Sequence, residues 1–121
     1  MGEPGLKDKL LALAALRTGD LQVEGETVHV RELSTPEYAE YGRLTNDQKD
    51  ERGNLISKAD RLKGIAFLIS TAVIDEAGVR VFSDDEAITL AKSPRVALPI
   101  VSKVMELSGT KEGDEKHPVA S

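Results

Sequence analysis

Leu55-Ile56-Ser57-Lys58-Ala59-Asp60-Arg61-Leu62-Lys63-Gly64-Ile65-Ala66-Phe67-Leu68-Ile69-Ser70-Thr71-Ala72-Val73 carries the strongest periodic signal in the chain. Leu55, Ala59, Leu62, Ala66, Ile69 and Val73 recur at steps of 4, 3, 4, 3 and 4, the spacing of one face of an α-helix. Ile65, Leu68 and Ala72 widen that stripe, so the spacing predicts a helix over 55–73 buried against several neighbours. Lys58, Asp60, Arg61 and Lys63 supply its polar face. Gly64 costs about 1 kcal/mol against Ala inside a helix. It marks either a close approach by another helix or neutral drift.

Downstream, Val73 to Phe82 reads as the helix end, a tight turn at Gly78 and a short β segment. Val79, Val81 and Phe82 are expected to pair with Ile74 or with an earlier hairpin. Ser83-Asp84-Asp85-Glu86 is a capping box, with acids in the first turn where the helix dipole favours them. Ser93-Pro94 is a further N-cap and first-turn pair, followed by an apolar stripe at Val96, Ile100, Val104 and Leu107, with Val101 and Met105 beside it. Pro99 falls inside that stripe, so a kink or a fresh start is expected near Leu98. Gly109 suits a helix C-terminus. Thr110 to Ser121 keeps no apolar periodicity and is expected to be disordered.

Upstream, Asn46 to Asn54 (NDQKDERGN) is polar, is closed by Gly53, and reads as a loop. Ser34-Thr35-Pro36-Glu37 forms another capping box, opening a helix that ends near Thr45 and carries Tyr38, Tyr41 and Leu44 on one face. Between Leu21 and Leu33 the period changes to two, and Gly25 supplies a turn, so a β-hairpin is expected. Leu6, Leu10 and Leu13 recur at helical spacing among alanines, with Thr18-Gly19-Asp20 as the stop. The preferred reading packs this helix on the domain core; the alternative is a loosely tied arm that docks on a neighbour.

The expected fold is therefore mainly α, of the α+β kind. It is a bundle of about four to five helices with a small N-terminal β-hairpin and a short β turn segment. The division is a helical arm over 1–20, a single helical domain over 21–109, and a tail over 110–121. The composition agrees: of 121 residues, 40% are apolar and 31% charged, as in a globular domain. Only four residues are aromatic, so the core must be aliphatic. The formal charge of −5 disfavours nucleic-acid and anionic-lipid binding. With no cysteine, disulfides, thiolate zinc sites and thiol catalysis are excluded. No apolar run approaches the roughly 18 residues of a membrane span.

Catalytic and metal-binding patterns are missing too. His29 and His117 have no partner at ligand spacing, and no phosphate-binding glycine loop, nucleophile elbow or H-E-x-x-H motif occurs. Asp84, Asp85 and Glu86 lack the spacing of a calcium loop, and capping explains them. Asp75 and Glu76 precede a glycine turn and read as solvated turn acids. No catalytic, cofactor-binding or metal-binding residue is assigned.

The stretches Val28-His29-Val30-Arg31-Glu32-Leu33-Ser34 and Ile74-Asp75-Glu76-Ala77-Gly78-Val79-Arg80-Val81-Phe82-Ser83-Asp84-Asp85-Glu86 resemble the tail assembly chaperones of long-tailed bacteriophages. Val104-Met105-Glu106-Leu107-Ser108-Gly109 is similar to that family's final helix. The resemblance covers about residues 21–109. It implies a non-enzymatic protein of the host cell cytoplasm, absent from the mature virion, that binds and solubilises the tape measure protein. It also implies help in recruiting the tail tube protein, through a longer form made by ribosomal frameshifting. No cofactor, nucleic acid or membrane is implied, and self-association stays open. Tyr38, Tyr41, Leu44, Val101 and Met105 are the candidate partner-binding residues, since helical clients are held in apolar grooves between helices. The alternative is a small helical adaptor or head–tail connector component retained in the virion.

Overall fold

The computed structural model describes residues 5–13 and 15–109. In chain order the elements are α1 (Leu6–Leu13), β1 (Thr18–Val23), β2 (Glu26–Arg31), α2 (Thr35–Thr45), β3 (Gln48–Lys49), β4 (Leu55–Ser57), α3 (Arg61–Ala72), β5 (Val73–Ile74), α4 (Asp84–Ala91) and α5 (Pro94–Leu107). The architecture is α+β, as the periodicities require: helices assembled around α3, and a small antiparallel sheet in the order β1-β2-β5.

Both capping boxes form. At α2, the Ser34 hydroxyl accepts from the Glu37 N–H at 3.4 Å while the Glu37 carboxylate accepts from the Ser34 N–H at 2.8 Å. At α4, the matching distances between Ser83 and Glu86 are 3.2 and 2.9 Å. The hairpin closes through Glu24 and Gly25, both at positive φ, which matches the right-handed twist of the strands. Val30 pairs with Val73 and His29 with Ile74, so the end of α3 runs directly into the sheet. A bridge from Ile74 to Arg80 returns the 79–81 segment alongside β5, so that segment pairs with Ile74, which itself pairs with the hairpin.

The core is aliphatic. Val30, Leu68, Ile69, Ile100 and Val104 are its largest fully buried side chains. α3 packs against α2, α4 and α5, while α5 covers β1 and β2. Gly19 permits that cover: a Cβ there would meet Cε of Lys103 at 3.0 Å and a Leu107 methyl at 3.2 Å. Gly64 does mark a close helix–helix approach. A Cβ on Gly64 would fall under 3 Å from Cγ2 of Thr45 and 3.5 Å from Cβ of Leu44, so the end of α2 rests on bare α3 backbone.

Several expectations are corrected. The central helix starts at Arg61 rather than Leu55, because Asp60 caps it by accepting from the Lys63 N–H at 3.0 Å. Leu55 and Ile56 lie in β4 and are exposed, and Leu62 is 39% exposed, so the first half of the stripe does not face the core. Asn46 to Asn54 is not a plain loop. Gln48–Lys49 pairs with β4, and the Asp50 carboxylate accepts from the N–H groups of Arg52 and Asn54 to shape the turn. Thr18 to Asp20 do not end a helix; they are the first half of β1, paired with His29 to Arg31.

The N-terminal helix does not pack its described apolar side chains on the core. Leu6, Leu10 and Leu11 are 72, 55 and 62% exposed. α5 makes no fresh start near Leu98 and runs from Pro94 through Pro99 to Leu107. Pro99 and Arg95 are both exposed, so the carbonyl left without its helical donor lies on the solvent side. The expected disorder of 110–121 lies outside the described residues.

Candidate functional site

A groove of about 360 Å³ is bounded by α2, α3 and α4. α3 forms its floor with Lys63, Ala66, Phe67 and Ser70, spaced 3, 1 and 3 along one helical face. Glu40, Arg43 and Leu44 of α2 make one wall, and Asp84 and Ile88 of α4 the other. Gly64 lets α2 lie close to α3 and so sets one wall's position. Arg80 links α3 to the other wall: its Nε donates to the Ser70 carbonyl at 2.6 Å, and its Nη2 lies 3.3 Å from the Asp84 carboxylate.

Most polar groups around the groove are already engaged. Arg43 binds Glu40 with two hydrogen bonds of 2.9 and 2.7 Å, and this holds the Glu40 carboxyl below its ordinary pKa and the guanidinium above its own. The Ser70 hydroxyl donates to the Phe67 carbonyl at 3.1 Å. The Lys63 ammonium forms no ion pair within 4 Å among the described residues, although its charge, after that of Arg43, also helps to hold the Glu40 carboxyl low. Ile88 stays 37% exposed and Phe67 half-buried, so apolar surface remains open to a ligand.

A second hollow of about 300 Å³ lies beside the sheet, lined by Val28, His29, Ile74, Asp75, Glu76, Val81 and Phe82 among others. His29 hydrogen-bonds the Asp20 carboxylate, and that bond raises its pKa above the ordinary imidazole value. Asp75 is committed to its turn, accepting from the N–H groups of Ala77 and Val79 at 2.8 and 2.9 Å. Among the described residues no three His, Asp or Glu side chains gather where they could hold a metal ion. No described helix is long and apolar enough to cross a membrane.

Of the five residues singled out from sequence, only Leu44 lines the groove. Tyr38 is exposed on α2, while Tyr41 is half-buried against the core, and burial pushes its phenol pKa up. Val101 and Met105 are half-buried on α5 and pack on the core from another direction. The structure therefore does not bring the five together. Phe67, Ile88 and Lys63 were not singled out. Phe67 left one signal: an aromatic in the strongest helix that falls off the aliphatic stripe.

Residues 9–117 match the sequence profile of a family described as phage tail assembly chaperone. Among solved structures, the bacteriophage HK97 tail assembly chaperone is similar with a TM-score of 0.53. That likeness has 22% identity and covers 84% of this chain and 92% of the HK97 chain, so it bears on the fold. No curated protein matches the sequence.

Proposed function

The chain belongs to the phage tail assembly chaperone family, and from that premise we propose that it binds the tape measure protein of its own phage and keeps it soluble during tail assembly. The family match over residues 9–117 carries this reading. The surface is consistent with it: an apolar groove lies between three helices, and apolar side chains are exposed on α1. A long helical client with repeating apolar faces needs such surfaces, because exposed apolar stripes otherwise drive aggregation.

In this reading the protein works in the host cytoplasm and leaves before the virion is complete. Tail tube protein is recruited through a longer, frameshifted product that extends this chain. No enzymatic step is involved. Co-expression with the tape measure protein of the same phage tests the first claim. Recovery of both chains in one soluble complex is expected. A tape measure protein that stays insoluble beside a soluble, folded chaperone refutes it. Finding the chain in purified virions would favour the retained adaptor instead.

A further inference from the structure

We propose that the α2–α3–α4 groove seats one amphipathic helix of the client, with aliphatic residues along α3 and a carboxylate facing Lys63. The proposal rests on the reading that the chain holds a helical client, and adds where and by what chemistry.

Groove shape argues for a helix. Lys63, Ala66, Phe67 and Ser70 occupy one face of α3 over about 10.5 Å, two helical turns. A docked helix presenting residues at i, i+3 or i+4, and i+7 matches that length. A peptide adding as a β-strand would need a free sheet edge to pair with, and all three elements here are helices. A small polar ligand would need convergent unspent polar groups. Glu40 is spent on Arg43, Asp84 on Arg80, and Ser70 on the Phe67 carbonyl. What remains is apolar surface from Leu44, Ala66, Phe67 and Ile88, and Lys63, a cation near Glu40 with no ion pair of its own once Glu40 is bound to Arg43.

Charge chooses among helices. Lys63 favours an acidic neighbour and penalises a basic one. The exposed apolar helix this chain itself carries, α1, has Lys7 and Lys9 beside Leu6 and Leu10, against a single Asp8. A second copy's α1 would thus bring more positive than negative charge to a positive site. A client helix with an acidic residue beside its aliphatic face fits better.

The test is capture of the same phage's tape measure protein on co-expression, with three substitutions compared. Ile88→Glu puts a carboxylate on the groove wall, and Lys63→Glu reverses the free charge. Ile56→Glu places the same acid on β4, outside the groove. Folding is checked by thermal melting of each variant. We expect about tenfold lower capture for Ile88→Glu, several-fold lower for Lys63→Glu, and no change for Ile56→Glu. Lys63→Arg, which keeps the charge, should capture within about twofold of wild type.

If Ile88→Glu does not fold, the Lys63 pair decides alone, because that side chain is exposed and holds no ion pair whose loss would unfold the chain. Wild-type capture by folded Ile88→Glu and Lys63→Glu overturns the groove and leaves the chaperone reading standing. A change in oligomeric state with capture intact also overturns it, by assigning the groove to a second copy. No capture by wild type overturns both readings.

Discussion

Gly64→Ala tests the packing that positions α2 against α3. On helix propensity alone, Ala in place of an interior Gly should stabilise by about 1 kcal/mol. The structure opposes this, because the new Cβ would fall under 3 Å from Cγ2 of Thr45. Thr45 cannot easily turn away. Its hydroxyl donates to the Tyr41 carbonyl at 2.8 Å, and a β-branched side chain has few alternative rotamers. Overpacking of this kind costs about 1–3 kcal/mol. The net expectation is a loss of up to about 2 kcal/mol in place of a gain. Thr45→Ser removes the obstructing methyl and keeps the hydroxyl. In that background the same Gly64→Ala change should stabilise, since the next contact, Cβ of Leu44, stands at 3.5 Å. Urea denaturation of the four proteins forms a double-mutant cycle, with an expected coupling of about 1–3 kcal/mol. If Gly64→Ala stabilises the wild-type chain by its full propensity, or the coupling is within about 0.3 kcal/mol of zero, the reasoning is refuted.

Ile69→Ala should cost about 2–5 kcal/mol in a denaturant melt, whereas Leu62→Ala should cost under about 1 kcal/mol, because Ile69 is fully buried and Leu62 is 39% exposed; equal losses would restore the longer helix. Ser83→Ala should cost about 1 kcal/mol by removing the acceptor for the Glu86 N–H, measured in the same way. The Glu37 carboxyl, bound by Arg31 at 2.8 and 3.0 Å, has its pKa lowered to about 2 from 4.5. Its contribution is fully present above the unfolded pKa and is lost as pH falls from about 4.5 towards 2, by no more than about 3 kcal/mol. Acid titration of stability should therefore be flatter over that window in Glu37→Gln, and parallel curves would contradict the assignment.

Much of the fold was legible because its signals are local. A capping box needs only residues three apart, so Ser34 with Glu37 and Ser83 with Glu86 could be read directly, and both form as expected. The glycine turns at Gly25 and Gly78 and the apolar spacing of Val96, Ile100, Val104 and Leu107 are equally local, although α5 buries Ala97 with Ile100 and Val104 and leaves Val96 half-buried. Where local signals competed, spacing alone misled. Leu55 to Leu62 follow a helical period, yet Asp60 caps α3 and the Asp50 turn pairs β4 with β3. The tyrosine face of α2 was legible as a face, but its burial was not, because Tyr41 turns towards the core and Tyr38 towards solvent.

The sequence by itself determined the class of fold, the places where most helices begin, and an aliphatic core. Each follows from short-range chemistry: side-chain period, caps, turn residues and composition. Tertiary structure alone decided which faces meet. Gly64 became the close approach of α2 to α3 only because Thr45 lies above it, and Arg80 became the tie between α3 and α4 only because the turn at Gly78 brings it to the Ser70 carbonyl. The groove follows from those two contacts. Its lining comes from residues 40–44, 63–70 and 84–88, so no local pattern marks it. It arises where two helices, α2 and α4, flank a third, α3, that has already spent its other face on the core.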